Sequence, residues 1–139
     1  MRTVRTIDYA EARLIIDRIV AEIEPSGRAG VIVVVDPFGE MIAFARMDGA
    51  PVSSIRIAAN KAYSAARERK TTEEIGAKAR HPDKGFEIAY FGDERFTGWG
   101  GGVPVWRGGE VVGAIAVSGL PQAEDIRLAT WAASLIAED

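Results

Sequence analysis

The chain has 139 residues, 47% of them hydrophobic, a formal net charge of -3 and no cysteine. This length and composition suit one compact domain over residues 1–139. The lack of cysteine excludes disulfides, thiolate metal sites and cysteine nucleophiles, and the interspersed charges offer no broad basic face for nucleic acid. Because acidic residues interrupt the N-terminal segment and no later apolar run reaches membrane-spanning length, we expect a cytoplasmic protein with no membrane partner.

A helix opens the predicted fold. Apolar residues between Ala12 and Ile23 recur at the three-four spacing of one helix face, and Asp8 with Glu11 offers an N-terminal capping pair. Residues 25–27, with the sequence Pro-Ser-Gly, predict the end of this helix.

Two strands follow, joined by a tight turn. Val31 to Val35 is an uninterrupted apolar run, which is typical of a strand buried on both faces. Residues 36–39, Asp-Pro-Phe-Gly, predict a turn because proline presets φ and glycine permits the reversal. The second strand, from Met41 to Arg46, should pair antiparallel with the first.

The middle of the chain predicts one long and one short helix. Ser53 or Ser54 can cap a helix that runs to about Lys70, and the apolar arc of this helix is mostly alanine. A face of such small side chains must lie very close to its neighbour. A short third helix starts at residues 71–72, and Pro82 prevents it from running far.

The C-terminal half predicts a loop, a hairpin and a last helix. Residues 81–97 carry aromatic side chains without a clear period and predict a loop with at most one short strand. Residues 103–107 and 110–117 are rich in valine and isoleucine around a Gly-Gly hairpin turn, and a helix follows Pro121. Adjacent strand pairs, rather than alternating strand-helix units, predict an α/β fold of the α+β type with helices packed on an antiparallel sheet.

Several motifs occur in a specific order. VVVDPFGEMIAFARMDGAP precedes the AANKAYSAAR helix, and GGVPVWRGGEVVGAIAVSG precedes a closing helix with Asp125. From about Thr6 to Ala137 this order resembles the GlcG/HbpS family of haem-degrading-like proteins, whose domain also forms the C-terminal end of PduO-type proteins. The resemblance implies a profilin-like domain with a sheet of about five strands, homo-oligomers and an association with haem or corrinoid metabolism. Haem is the cofactor it suggests, but a shared fold leaves the ligand open.

Lys61 is the first candidate site residue. The resemblance places it at the family's lysine position, and on a helical wheel it falls about 40° beyond the alanine arc, at the border of the buried face. Its ammonium group either meets a ligand carboxylate or forms a structural ion pair with Asp36 or Asp48.

Three further charged residues are candidates for the same site. Arg46 can grip a carboxylate with two parallel hydrogen bonds, or it forms a salt bridge to Asp48 or Glu40. Asp36 and Asp48 either accept a proton in catalysis or form turns by satisfying local backbone donors.

The glycine-rich loop at residues 98–102, GWGGG, is the second candidate element. Backbone N–H groups at Gly101, Gly102 and Val103, with Pro104 beside them, are candidates for an anion nest or an oxyanion-type site. The alternative is a tight loop in the sheet. The loop lacks the lysine and the strand-glycine-helix context of a nucleotide-binding fingerprint.

Four ring-bearing residues are candidates for contact with a flat ligand or its metal. Trp99 either stacks on the ligand or covers the core. His81 is the only histidine, which excludes a multi-histidine metal centre, and no metal site is predicted. It is either one axial haem ligand or a surface residue. Tyr63 and Tyr90 either reach an iron or pack with an exposed hydroxyl.

Two functional hypotheses from different classes follow. In the first, the chain is a small-molecule-binding or accessory protein for haem or a related tetrapyrrole, with its site at the glycine loop and Lys61. In the second, it is a cofactor-independent enzyme in which Arg46 and Lys61 hold a small carboxylated metabolite and Asp36 or Asp48 moves a proton. A third possibility is a structural partner of a pathway enzyme. Convergence of Lys61, Arg46 and the glycine loop in one concave pocket would favour a ligand site, whereas convergence of exposed apolar helix faces would favour a partner surface. A flat site in which Lys61 is fully paired to a carboxylate would count against both small-molecule hypotheses.

Overall fold

Residues 1–138, the part of the chain that the computed structural model describes, form four α-helices and four strands. The helices are α1 (Tyr9–Ile23), α2 (Ser54–Glu68), α3 (Thr72–Ala79) and α4 (Gln122–Ile136). The strands are β1 (Val31–Val35), β2 (Met41–Arg46), β3 (Gly102–Arg107) and β4 (Glu110–Ser118). The predicted α/β class and the order of the elements are confirmed. Within residues 1–138, each helix is too short or too polar to span a bilayer.

The strands form one antiparallel sheet in the order β2-β1-β4-β3. We expected about five strands, but residues 1–138 form four. Residues 81–97 contain a short 3₁₀ helix, Ile88–Phe91, where one further short strand was allowed. In that segment Phe91 stacks on Phe96 with ring centroids 4.3 Å apart, so its aromatic side chains pack on one another instead of alternating along a strand.

The central strand β1 is buried on both faces, as its apolar run predicts. Ile32 and Val34 face the core that α1 and α4 cover. Val31, Val33 and Val35 face the opposite core, beneath α2. The period-two geometry of a strand sends alternate side chains to these two cores, so a continuous run of valine and isoleucine fills both.

Helix α2 lies very close to the sheet because the side chains on both contacting surfaces are small. Its face toward the sheet carries the buried alanines Ala58, Ala62, Ala65 and Ala66, and the alanines of β4 pack against them. The approach is so close that a Cβ atom on Gly102 would lie 2.4 Å from the carbonyl oxygen of Lys61. This confirms the expectation from the alanine arc and places Lys61 directly above β3.

The helix starts differ in how they are capped. Asp8 and Glu11 form the predicted capping box at α1, and the Thr71 side chain accepts a hydrogen bond from the Glu74 N–H at α3. Ser53 occupies the cap position of α2, but its side chain makes no capping hydrogen bond. Packing of the alanine face, rather than a cap, therefore stabilises the start of α2.

The β3–β4 hairpin turns at Gly108 and Gly109, which both have positive φ, +56° and +76°. Arg107 and Glu110 are cross-strand partners on either side of the turn. The Arg107 guanidinium nevertheless pairs with Glu11 of α1. This partly buried pair ties the first turn of α1 to the end of β3.

Candidate functional site

Lys61 projects from α2 into the protein, and only 1% of it is exposed. Its Nζ donates to the Val117 carbonyl oxygen at 3.1 Å and to Asp125 Oδ2 at 3.3 Å. The ring centroid of Trp99 lies 5.6 Å from the same nitrogen. The helical wheel predicts Lys61 at the border of the buried face of α2, but the structure places its side chain in the protein interior. The structural ion pair is formed with Asp125, not with Asp36 or Asp48.

Asp125 stands in the first turn of α4 and is as buried as its partner. Its Oδ1 accepts the Leu120 N–H at 3.2 Å. Burial raises the pKa of Asp125 to about 6, although the Lys61 cation acts in the opposite direction. Burial likewise lowers the pKa of Lys61, against the attraction of Asp125. For both groups the loss of hydration outweighs the mutual attraction, so the pair can exchange protons closer to neutral pH than free side chains do.

The glycine loop passes between this pair and β4. Gly101 has φ +128°, and a Cβ atom there would lie 2.6 Å from the Val117 carbonyl oxygen and 2.8 Å from Lys61 Nζ. The Gly102 N–H donates to Thr72 Oγ1 at 2.9 Å, so this donor is already engaged. Close approach to α2 and β4 accounts for both glycines. Val103 and Pro104 continue into β3, where they are buried.

Trp99 is the one member of this loop that is well exposed. Its backbone N–H donates to Thr97 Oγ1 at 3.3 Å, and 54% of the residue is exposed. The Lys61 ammonium lies within cation-π distance of the ring. A flat aromatic surface is therefore held in place from the protein side and open to solvent.

The other charged candidates lie elsewhere, so Lys61, Arg46 and the glycine loop do not converge in one pocket, and the expected ligand site that uses Lys61 and Arg46 together is not formed within residues 1–138. Arg46 faces Val31 at the start of β1, whereas Asp36 follows Val35 at its end, so the strand length of about 16 Å separates them. Asp36 Oδ1 accepts the N–H groups of Phe38 and Glu40, which is the turn-forming role. Arg46 and Asp48 are exposed, and Arg46 makes no ion pair with any of residues 1–138.

The candidate iron ligands are also apart from Lys61. His81 is exposed, and its Nδ1 accepts the N–H groups of Asp83 and Lys84 at 3.1 and 3.0 Å. In neutral imidazole this leaves the proton on Nε2, the nitrogen that would have to bind iron. The Tyr63 hydroxyl donates to Asp93. Tyr90 is exposed in the 3₁₀ helix.

Comparison with known proteins adds the family. The family model described as haem degrading protein HbpS-like matches residues 7–134. The chain belongs to this family. This HbpS-like protein is 33% identical over 135 residues to an uncharacterized 15.0 kDa protein from the dhaT-dhaS intergenic region of Citrobacter freundii, an alignment that covers 97% of the chain and 95% of the relative.

Two solved structures share the fold of this HbpS-like protein. Protein ORFY of Klebsiella pneumoniae is 32% identical and superimposes with a TM-score of 0.89, over 96% of this chain and 92% of that one. A complex named PduOC:Heme is 22% identical, with a TM-score of 0.86 over 94% and 95% of the two chains. At that identity the second likeness concerns the fold alone.

Two residues that hold the Lys61 region together, Asp125 and Thr72, were not predicted from the sequence as site residues. The sequence motifs identify Asp125 only as part of the closing helix. A signal was present, because Asp125 precedes Leu128, Ala129 and Ala132 at the spacing of one helix face and so belongs to the buried stripe of α4. An acidic residue on such a stripe needs a buried cation as partner, and Lys61 supplies it.

Proposed function

We propose that this HbpS-like protein is a binding or accessory protein for a flat small molecule, with haem or a related tetrapyrrole as the ligand. The description of its family and the haem named in the PduOC complex, which has the same fold, support this ligand class. The proposed site is the exposed face of Trp99. Lys61 with Asp125 anchors the loop beneath it, and Gly101, Gly102, Val103 and Pro104 form its rigid backing.

The observation that carries the proposal is the contrast between Trp99 and its surroundings. The loop around it is fixed by the Lys61 contacts and by the hydrogen bonds of Gly101 and Gly102, yet the indole remains half-exposed. Aromatic faces gain energy by stacking on flat rings, and a ring already fixed in position loses little conformational entropy when it does so.

The side chains present fit the ring of a porphyrin better than its iron. His81 would need to give up two backbone hydrogen bonds and shift its proton before Nε2 could bind the metal. The Tyr63 hydroxyl is engaged by Asp93. When bound, haem would supply a planar apolar surface with two carboxylates, and the chain would hold that surface by stacking.

Binding is also favoured over catalysis. The enzymatic hypothesis requires Arg46, Lys61 and either Asp36 or Asp48 to surround one metabolite. These residues lie at separate places in the fold, and the buried Lys61 is already paired with Asp125. No observation in residues 1–138 favours that arrangement.

We further propose that the protein works as a homo-oligomer. Strand β2 lies at one edge of the sheet, and Met41 and Phe44 on it are exposed. Exposed apolar side chains on an edge strand favour association with another chain. Light scattering during size-exclusion chromatography measures the molar mass of the assembly directly. A monomer at every protein concentration would contradict this proposal.

A haem titration followed by absorbance tests the proposed function. We expect a saturable Soret shift in the wild type and about tenfold weaker binding by Trp99→Ala, with Tyr9→Ala as a control at another exposed aromatic. His81→Ala should bind as the wild type does. Metal-free protoporphyrin should bind within about threefold of haem, because the ring rather than the iron is held. A wild type without a saturable shift would overturn the proposal.

A further inference from the structure

The concave groove at the other end of the sheet from Lys61 is not used by the proposed function. It has a volume of about 560 Å³, within the size range of small-molecule sites. The turn after β1, the end of α2, the β3–β4 hairpin and the N-terminal segment line it. These four parts of the chain are distant in sequence and meet only in the folded protein.

The lining of this groove is strongly cationic. It contains Arg2, Arg5, Arg67 and Arg69, against the single acidic residue Glu110. The chain as a whole has a formal charge of -3, so this local excess opposes the general balance. Like charges that share a groove repel one another, and an anion bound between them relieves that repulsion.

Contacts with the protein hold Arg5 and Arg67, and the four arginines largely lack anionic partners among residues 1–138. Arg67 donates to the Phe38 carbonyl oxygen at 3.4 Å, and its guanidinium lies 4.9 Å from the Tyr63 ring centroid. Arg5 reaches Glu138 only at 3.8 Å. Among residues 1–138, Arg2, Arg67 and Arg69 form no ion pair. Guanidinium groups in this state offer paired donors that match a carboxylate or a phosphate.

Two aromatic side chains add an apolar surface to the same groove. Phe38 is 57% exposed and Trp106 is 42% exposed. Flat rings beside guanidinium groups suit a ligand that is itself flat and carries its charge at the periphery. A simple inorganic anion would use the arginines but would leave both rings in water.

The backbone conformation of Arg69 is a second, independent observation that favours a functional role for its side chain. Arg69 ends α2 with φ +58°, and it is the only residue other than glycine with positive φ in residues 1–138. Glycine is the residue that this position favours, because a side chain in the left-handed conformation is strained. An arginine at this position lowers stability, but it places a guanidinium group at the rim of the groove.

We infer that this arginine-aromatic groove binds a small planar molecule that carries two or more negative charges as carboxylates or phosphate. The inference does not rest on the proposed function, because neither iron nor a porphyrin is required. Arg67 and Arg69 hold the anionic groups, and Phe38 and Trp106 pack against the ring.

Fluorescence titrations with iron-free probes test this site. Flavin mononucleotide presents a flat ring with a phosphate, riboflavin is the same ring without it, and naphthalenetetracarboxylate presents carboxylates. We expect the first or third probe to bind at least tenfold more tightly than riboflavin and to weaken as salt rises from about 0.05 to about 0.5 M. Tighter binding of the flavin would identify a phosphate ligand, and tighter binding of the tetracarboxylate a carboxylated one.

Arg69→Gly is the decisive variant, because it removes the guanidinium and relieves the backbone strain together. We expect about tenfold weaker binding of the anionic probe in a protein that melts no lower than the wild type, so misfolding cannot explain the loss. Arg67→Gln should act in the same direction. Arg13→Gln, on the exposed side of α1, controls for the change in net charge. Affinities of both anionic probes no higher than that of riboflavin, or affinities unchanged in both groove variants, would overturn the inference. Loss of haem binding in Trp99→Ala alone would leave it intact.

Discussion

The buried Lys61–Asp125 pair gives the sharpest test of the structure. In Lys61→Met the ammonium is lost, but the length and apolar volume of the side chain are largely kept. Asp125 then stays inside the protein without the cation that lies 3.3 Å away in the wild type. Removing one member of a buried pair destabilises a protein by about 3–5 kcal/mol, because the remaining charge is both desolvated and unpaired.

The stability lost in Lys61→Met should depend on pH, and the pKa of Asp125 determines whether the loss grows or shrinks as pH rises. Its pKa rises from 3.8 in the unfolded chain to about 6 in the folded protein. This rise means that ionising Asp125 costs about 3 kcal/mol more free energy in the folded protein than in the unfolded chain. Because the folded-state pKa is the higher one, this stabilisation is complete below the unfolded pKa and is lost as pH rises through the folded one. Without Lys61 the pKa of Asp125 rises further. Each additional unit adds about 1.4 kcal/mol to the cost of the variant at alkaline pH.

Urea unfolding at about pH 5 and about pH 8 measures this difference. We expect Lys61→Met to lose about 1–3 kcal/mol more at the higher pH, since there the lone carboxyl group must take up a proton to remain buried. Arg127→Met, which breaks the exposed pair with Glu124 on the same helix, is the matched control and should cost less than about 1 kcal/mol. An equal cost at both pH values, or a cost as small as that of the control, would refute the buried pair.

Three further predictions concern stability and are measured by the same unfolding experiment. Gly101→Ala should cost at least about 3 kcal/mol, because its Cβ atom would meet Lys61 and the sheet, whereas Gly49→Ala, with positive φ but open space, should cost only about 1 kcal/mol. Glu11→Gln should cost about 1–3 kcal/mol at neutral pH by weakening the bond to Arg107. That bond holds the pKa of Glu11 below its ordinary 4.5, so its stabilisation is present above that value and is lost on acidification, and the variant should approach the wild type there. Asp8→Ala should cost about 1 kcal/mol through loss of the α1 cap, and an unchanged midpoint would contradict the capping box.

Local features of the fold were predictable from sequence because each depends on neighbouring residues. The apolar run of β1, the capping pair of Asp8 and Glu11 and the turn at Gly108-Gly109 are all contained within a few positions. The alanine face of α2 also predicted its close contact with the sheet. The number of strands was less predictable, because the aromatic residues between 81 and 97 pack on one another and form no further strand.

The candidate site was predicted less completely, because its parts come from distant segments. Lys61 and Asp125 are 64 residues apart, and only the packing of α4 brings them together. The same is true of the groove, which Arg2 and Arg5 line together with Arg67 and Arg69. Periodicity identifies which face of an element is buried, but the partner across that face depends on the arrangement of the elements.

The glycine loop shows how one sequence feature serves two purposes. Gly101 and Gly102 allow the backbone to pass beside Lys61 and β4, which is a packing requirement. The result is that a cation lies inside the protein while Trp99 lies half in water, the reverse of the usual preference of these residue types. A ligand stacked on Trp99 would remove that apolar surface from water without disturbing the pair. Trp99→Ala should therefore weaken binding without unfolding the protein, whereas Lys61→Met should destabilise the protein, because Asp125 is then buried without its cation.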